Sequence, residues 1–470
     1  MQRSIAKRPA LILGSLLVLA AGCAGPAERE AREAVADAER QYVRRPSAET
    51  PDSPPVPALG EDATLQDCLA YAVRNNPGLA AALERWKAEV ERIPQARTLP
   101  DPSLNYDLEA MQDSRQHMVT LNQTFPWFEK LSLRAAVARE EADVARQRYQ
   151  AEKLNLDFRV KDAYYEYYYL GRAIAVVREN RDLVKYLEEV VRTRYKAAAA
   201  GHPDVIRAQV ELGKLDDQLR SLEDLHKPAL ARLNAALNRP AASPLAWPPS
   251  APYEAVGADD VEILARLAEE NPDLKAMDHE IARERRSVDL AGKDYLPDWM
   301  VGAGYMSERM SGDGTDEGVT VMTGITLPIW REKYAAGVRE AQARHEAALR
   351  ARTDRANALG AEVQMVLYRV RDAARKINLY HDTLLPKARE SLKATEAAYR
   401  AGQATFTDLV DAERVLLEFR LASERALADH AQRRAELEML VGREIPRTAP
   451  ISPESANPEN EHKQPKGEVP

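Results

Sequence analysis

Residues 99–130, LPDPSLNYDLEAMQDSRQHMVTLNQTFPWFEK, hold two short runs that alternate between apolar and polar side chains, with prolines at the outer ends. In 104–110, Leu104, Tyr106, Leu108 and Ala110 oppose Asn105, Asp107 and Glu109. In 119–125, Val119, Leu121 and Phe125 oppose Thr120, Asn122 and Thr124. A period of two is the mark of a β-strand with one apolar face. Strands are expected at about 103–110 and 117–125, joined by a polar loop over about 111–117.

The same stretch returns later in the chain. Leu99-Pro100-Asp101 recurs as Leu296-Pro297-Asp298, and Thr124-Phe125-Pro126-Trp127 as Thr326-Leu327-Pro328-Ile329-Trp330. Glu129-Lys130 is answered by Glu332-Lys333, Asn76-Pro77 by Asn271-Pro272, and YKAAAAGHPDVIRA (195–208) by YRAGQATFTDLVDA (399–412). The matches keep their order while the offset drifts from 195 at the Asn-Pro pair to 204 at the last pair, which marks a duplication. The second copy predicts strands at about 299–307 and 318–327, with a polar connection over 308–317.

Around each strand pair the chain reads as helix. Copy one, 61–238, predicts helices over about 62–98, 128–198 and 203–238; copy two, 259–442, predicts them over about 258–293, 330–400 and 404–441. Pro386 should kink the second long helix. Residues 23–60 read as an N-terminal segment and linker, with proline and acidic residues concentrated in 39–60; 239–258 read as the inter-repeat linker and 443–470 as a polar, proline-rich, disordered tail. The fold class is mainly α with a small β part: a duplicated helix-strand-strand-helix-helix unit. A helix over 330–400 would be roughly 105 Å long, which suits a tall wall of helices and not a globule.

The first 22 residues have the layout of a lipoprotein signal peptide. Arg3, Lys7 and Arg8 precede an apolar core at Leu11–Ala20, which ends in Ala20-Ala21-Gly22-Cys23. Cys23 is thus the expected lipidation site, and several acyl chains anchor far better than one. No aspartate follows it to suggest inner-membrane retention. Without the leader the chain carries 63 basic and 74 acidic residues, which argues against nucleic acid as a partner. Cys68, the other cysteine, then has no disulfide partner.

No run of 18 apolar residues follows the leader, so any membrane crossing must use strands. Segments of 8–10 residues with one apolar and one polar face suit a transmembrane barrel. Four strands cannot close one, and an open edge in hydrocarbon leaves backbone groups unsatisfied at several kcal/mol each. Several protomers must therefore pool their strands.

The ordered set of duplicated Asn-Pro helices, strand pairs bounded by Leu-Pro-Asp and Phe-Pro or Leu-Pro, and closing Tyr-x-x-Gly elements resembles the TolC outer-membrane factor family over about 62–442. The resemblance implies a homotrimer with a twelve-stranded barrel in outer-membrane lipid and a long α-helical barrel in the periplasm. It implies docking to a periplasmic adaptor and an inner-membrane pump, and similarity to the lipid-anchored branch points to a pump of the resistance-nodulation-division type. Efflux of metal ions or drugs is expected ahead of protein secretion; the contrasting expectation is a non-conducting, lipid-anchored structural coiled coil. By the same resemblance, Asp408 and Asp411 match entrance aspartates, Tyr399 a tyrosine that helps hold the closed state, and Asp204 the acid of the first tip. Pro100, Pro126, Pro297 and Pro328 mark the strand-helix transitions. Ala404 stands where some members place an arginine that locks the tip.

No enzymatic activity, cofactor or metal site is expected. His345-Glu346 lacks the second histidine of a zinc motif, Leu349 standing in its place, and Gly302-x-Gly304 lies in a strand. Met300, Met306, Met310 and Met322 are expected to pack in the barrel, and the tyrosines between 164 and 169 to pack helix on helix.

Overall fold

The computed structural model describes residues 25–41, 59–60, 62–110, 114–198, 200–251, 253, 257, 259–310 and 314–445. Cys23 and the tail from 446 onward lie outside them. The chain divides into two units. One comprises residues 1–41, 81–149 and 276–353; the other comprises 42–80, 150–275 and 354–470.

The first unit holds the sheet. Its strands are β1 (Ser103–Ala110), β2 (Ser114–Phe125), β3 (Trp299–Met310) and β4 (Gly314–Ile325), antiparallel in the order β1-β2-β3-β4. The expected loops are shorter than read: 114–117, 308–310 and 314–317 continue the strands, pairing Gln116 with Glu308 and Glu308 with Asp316. Polar composition hid them, because a hydrogen-bonded ladder needs no apolar side chains. A helix within the expected N-terminal segment was also unforeseen. This is α1 (Pro26–Gln41), which buries Val35 and Ala38 and pairs Arg32 with Glu91 at 2.9 Å.

The remaining helices follow in chain order. Copy one has α2 (Leu65–Asn75), α3 (Pro77–Val90), α4 (Arg92–Arg97), α5 (Lys130–Lys196), α6 (His202–Asp224) and α7 (His226–Ala236). Copy two has α8 (Asp260–Glu270), α9 (Pro272–Lys293), α10 (Arg331–Leu379), α11 (Leu385–Arg400) and α12 (Phe406–Val441). Helices expected to be continuous over 62–98, 203–238 and 258–293 are broken at Asn76, Glu91, Leu225 and Asn271. Each break lies one to three residues before a proline: Pro77, Pro94, Pro228 or Pro272. Proline cannot donate to the preceding turn and crowds its carbonyl. At 380–384, ahead of Pro386, the chain makes one π-helical turn, so the expected kink takes the form of a wider turn.

In the second unit the Asn-Pro pairs restart a helix and pin it. The Asn271 side chain accepts from the Leu274 amide (2.9 Å) and donates to the Leu440 carbonyl (2.7 Å); Asn76 accepts from the Leu79 amide at 3.0 Å. Gly442 ends α12 at φ 94°, where an added Cβ would lie 2.6 Å from the Glu270 carbonyl, so only glycine fits. The core there includes Ile263, Leu274, Leu359, Leu367 and Leu437, all nearly inaccessible. Within the tyrosine run, Tyr167 packs on the inter-repeat segment: it stacks on Trp247 at 4.3 Å and donates to the Leu245 carbonyl at 3.0 Å, holding that segment on α5.

Candidate functional site

The register aligns the alternating residues of all four strands. Leu104, Leu121, Ala303 and Val321 form one row across the sheet, and Tyr106, Val119, Tyr305 and Val319 form the next. This apolar face is uncovered: Leu104 is 70% exposed, Val319 78% and Val321 74%. The other face carries Asn105, Thr120, Gly304 and Thr320 in one row and Met118, Met306 and Gly318 in another. Met118 and Met300 reach over Gly304 and Gly324, filling the space that those residues leave empty. This explains why β3 alternates weakly in sequence, since both of its faces carry small or apolar residues. Within this sheet β1 and β4 are edges, each hydrogen-bonded on one side only. An uncovered apolar face with two open edges is a fragment that lipid and further strands complete.

Just below the sheet, in the same unit, the two copies are joined by a buried charge. Lys130, 4% exposed, donates to the Asp298 carboxylate at 2.8 Å and to the Leu296 carbonyl at 3.0 Å. The Trp127 amide donates to the same carboxylate at 2.9 Å. Burial alone would raise the Asp298 pKa, but the Lys130 ammonium and the Trp127 amide outweigh it and hold the carboxyl below its ordinary range. Pro100 and Pro297 stand ahead of β1 and β3, and Pro126 and Pro328 follow β2 and β4.

In the second unit two helix hairpins end in tips, one between α5 and α6 and one between α11 and α12. Tyr399 is buried, edge-on to Phe406, with the Arg194 guanidinium 4.8 Å above its ring and donating to its carbonyl at 3.0 Å. Arg207 donates to Thr407, joining the tips again. Arg414 donates to Glu211 through Nε (2.9 Å) and Nη2 (2.5 Å) and holds that buried carboxyl below its usual range.

The family model described as outer membrane efflux protein matches the chain twice, over residues 69–239 and 263–443. The chain belongs to the outer membrane efflux protein family. Among curated relatives of the family member, the cobalt-zinc-cadmium resistance protein CzcC of Cupriavidus metallidurans is 23% identical over 81% of this chain and 90% of its own. Protein CyaE of Bordetella pertussis is 25% identical over 65% of this chain and 69% of its own. The solved open state of the Neisseria gonorrhoeae MtrE outer membrane channel superposes with a TM-score of 0.68 at 18% identity, covering 85% of this chain and 98% of that one.

In this efflux protein the aspartates singled out at the tips already have local partners. Asp408 is the third residue of α12 and closes a capping box: the Thr405 amide donates to it at 2.8 Å, and its own amide donates to Thr405 Oγ1 at 3.2 Å. Those hydrogen bonds from Thr405 hold its carboxyl low. Asp411 is exposed, 3.3 Å from Arg414, and Asp204 lies 4.0 Å from Arg207. Ala404 packs against the tip core, and the cations that join the hairpins are Arg194, Arg207 and Arg414 instead. Sequence reading missed these because each partner lies about 200 residues away. The expected lipidation site, Cys23, lies outside the described residues.

Proposed function

We propose that three copies of this chain form a passive exit duct, pooling their strands in the outer membrane and receiving substrate at the helix tips from a periplasmic adaptor and an inner-membrane pump of the resistance-nodulation-division type. The observation that carries this reading is the sheet itself, with its uncovered apolar face and two open edges. Lipid covers that face, and β4 of one copy pairs with β1 of the next. The chain acts as a conduit and not as an enzyme, with energy supplied by the pump. The name of CzcC supports divalent metal ions as the cargo ahead of drugs.

Acylated Cys23 anchors the assembly in this reading. In support, Gly25, two residues on, lines a cleft of about 800 Å³ with Leu99, Phe125, Trp127 and Phe128 beside the end of the sheet. Asp411 and Asp204 contribute negative charge at the entrance, Asp408 shapes it as a cap, and Tyr399 with Arg194 holds the hairpins together. The test is single-channel recording from purified protein in planar bilayers. Discrete conductance from a trimer is expected; a folded, monomeric, non-conducting protein overturns the proposal and favours a structural coiled coil.

A further inference from the structure

Within the first unit, α5 and α9 run antiparallel along a charged seam. Lys293 pairs with Glu129 at 2.5 Å, Arg283 with Glu141 at 2.5 Å, and Arg148 with Glu280 at 2.7 Å. At one level the pattern changes. Glu140 and Asp143, three residues apart and so on one face of α5, meet His279 of α9. His279 Nδ1 lies 2.9 Å from Glu140 Oε2. The nearest guanidinium contact, Arg139 Nε, is 3.9 Å from Asp143, and the same arginine also reaches Glu30 at 3.4 Å.

The three residues each offer one ligand atom, and those atoms all lie within 4.8 Å of one another. Around an ion with bonds of about 2.0–2.2 Å, ligand atoms stand about 3–3.5 Å apart, so modest side-chain movement closes the set. All three side chains are half-buried, which leaves a path for an ion while stripping part of the water that competes for the carboxylates. We propose that Glu140, Asp143 and His279 form a site for one divalent transition-metal ion of the Zn2+ and Co2+ type, tying the long helix of copy one to the returning helix of copy two. The donor set selects that class. One imidazole nitrogen with two carboxylate oxygens suits borderline ions, whereas Cu(I) favours sulfur and Ca2+ or Mg2+ favour oxygen alone. Three protein ligands leave further positions for water. Arg139 must yield as the ion enters, and Glu30 is the partner to which it turns.

The site does not depend on conduction, so it is tested on solubilised, tag-free, full-length protein with Co2+ as the probe. Titration should develop the visible d–d absorption of low-symmetry Co2+, saturating at one ion per chain and reversed by Zn2+. His279→Ala, Glu140→Gln and Asp143→Asn should each weaken binding by about tenfold or more. Glu141→Gln, in the same seam but outside the donor set, should leave it unchanged. Circular dichroism confirms that each variant is folded. If His279→Ala is not folded, His279→Gln, which can keep a hydrogen bond to Glu140, takes its place. Absence of a Co2+ spectrum in the folded wild type, or equal binding by every variant, overturns the site.

Discussion

The Lys130 ammonium and the Asp298 carboxylate meet at 2.8 Å where the strand pair of copy one enters its long helix and that of copy two begins. The lysine side chain is 5% exposed and the aspartate 26%. Removing one partner of such a pair strands a buried charge, which costs far more than the pair's net worth. Asp298→Ala should lower the stability of the solubilised protein by about 3–5 kcal/mol, read as a fall in thermal midpoint. Lys130→Met with Asp298→Leu should recover most of the loss. The pH dependence has a definite sign. Because the folded pKa of Asp298 is lowered, its contribution is present above the unfolded value near 4 and fades as pH falls through the folded value.

The duplication carries that contact further. Lys333 and Asp101 are the counterparts of Lys130 and Asp298, yet both are exposed in the single chain. They lie by β4 and β1, the two open edges. If β4 joins β1 of a neighbour as β3 joins β2, Lys333 meets Asp101 of the next copy. Cysteines at both positions, treated with a short bis-maleimide, should give covalent dimers and trimers on denaturing gels, with either single variant giving none. The remaining native cysteine among the described residues, Cys68, is buried and contributes little background. Cross-linking confined to monomers would contradict this arrangement.

These contacts also show what was legible in the amino-acid sequence. Alternation at Leu104–Leu108 and Val119–Phe125 revealed the strands because an apolar face repeats every second residue. It failed at 114–117 and 314–317, where the ladder continues through polar side chains. Composition marked 39–60 as linker but gave no helix at 26–41, although Val35 and Ala38 there sit on one buried face. The Lys130–Asp298 pair was invisible for another reason. Its members were noticed as repeat markers, but nothing local reports a partner 168 residues away.

Glu413 gives a prediction from burial alone. It is 4% exposed on α12, its Oε2 has no hydrogen-bond partner among the described residues, and desolvation pushes its pKa up to about 7, with Arg420 opposing weakly. The unfolded chain ionises near 4.5, so between about pH 4.5 and 7 folding retains a proton that unfolding releases. Stability is therefore highest below that window and falls as pH rises through it, by at most about 1.4 kcal/mol per pH unit. Glu413→Gln should flatten the slope, measured by denaturant unfolding across pH 4–8.

The tips yield separable effects for their two aspartates. Asp408 is engaged in its capping box, so Asp408→Ala should fray the first turn of α12, read as faster amide hydrogen exchange at 405–409. Asp411 is exposed and lies outside the capping box, and Asp411→Asn should reduce the preference for cations and the block by trivalent cations in bilayer recordings. Unchanged reversal potentials in Asp411→Asn would remove it from the entrance.

Arg414 decides how firmly the second hairpin is held to the first. Its guanidinium makes two hydrogen bonds to Glu211 of α6 and stands 3.3 Å from Asp411 of its own helix. Arg414→Ala leaves the buried Glu211 carboxylate without its principal counter-charge, whereas Arg414→Lys keeps the charge but loses the paired geometry. The alanine variant should loosen α12 from α6, raising conductance in bilayers and speeding protease cleavage near 401–405, with the lysine variant intermediate. Glu211→Gln with Arg414→Gln, which can restore an uncharged hydrogen bond, should return both readouts toward wild type. If Arg414→Ala leaves conductance and cleavage unchanged, the Arg194 and Arg207 contacts suffice to hold the tips.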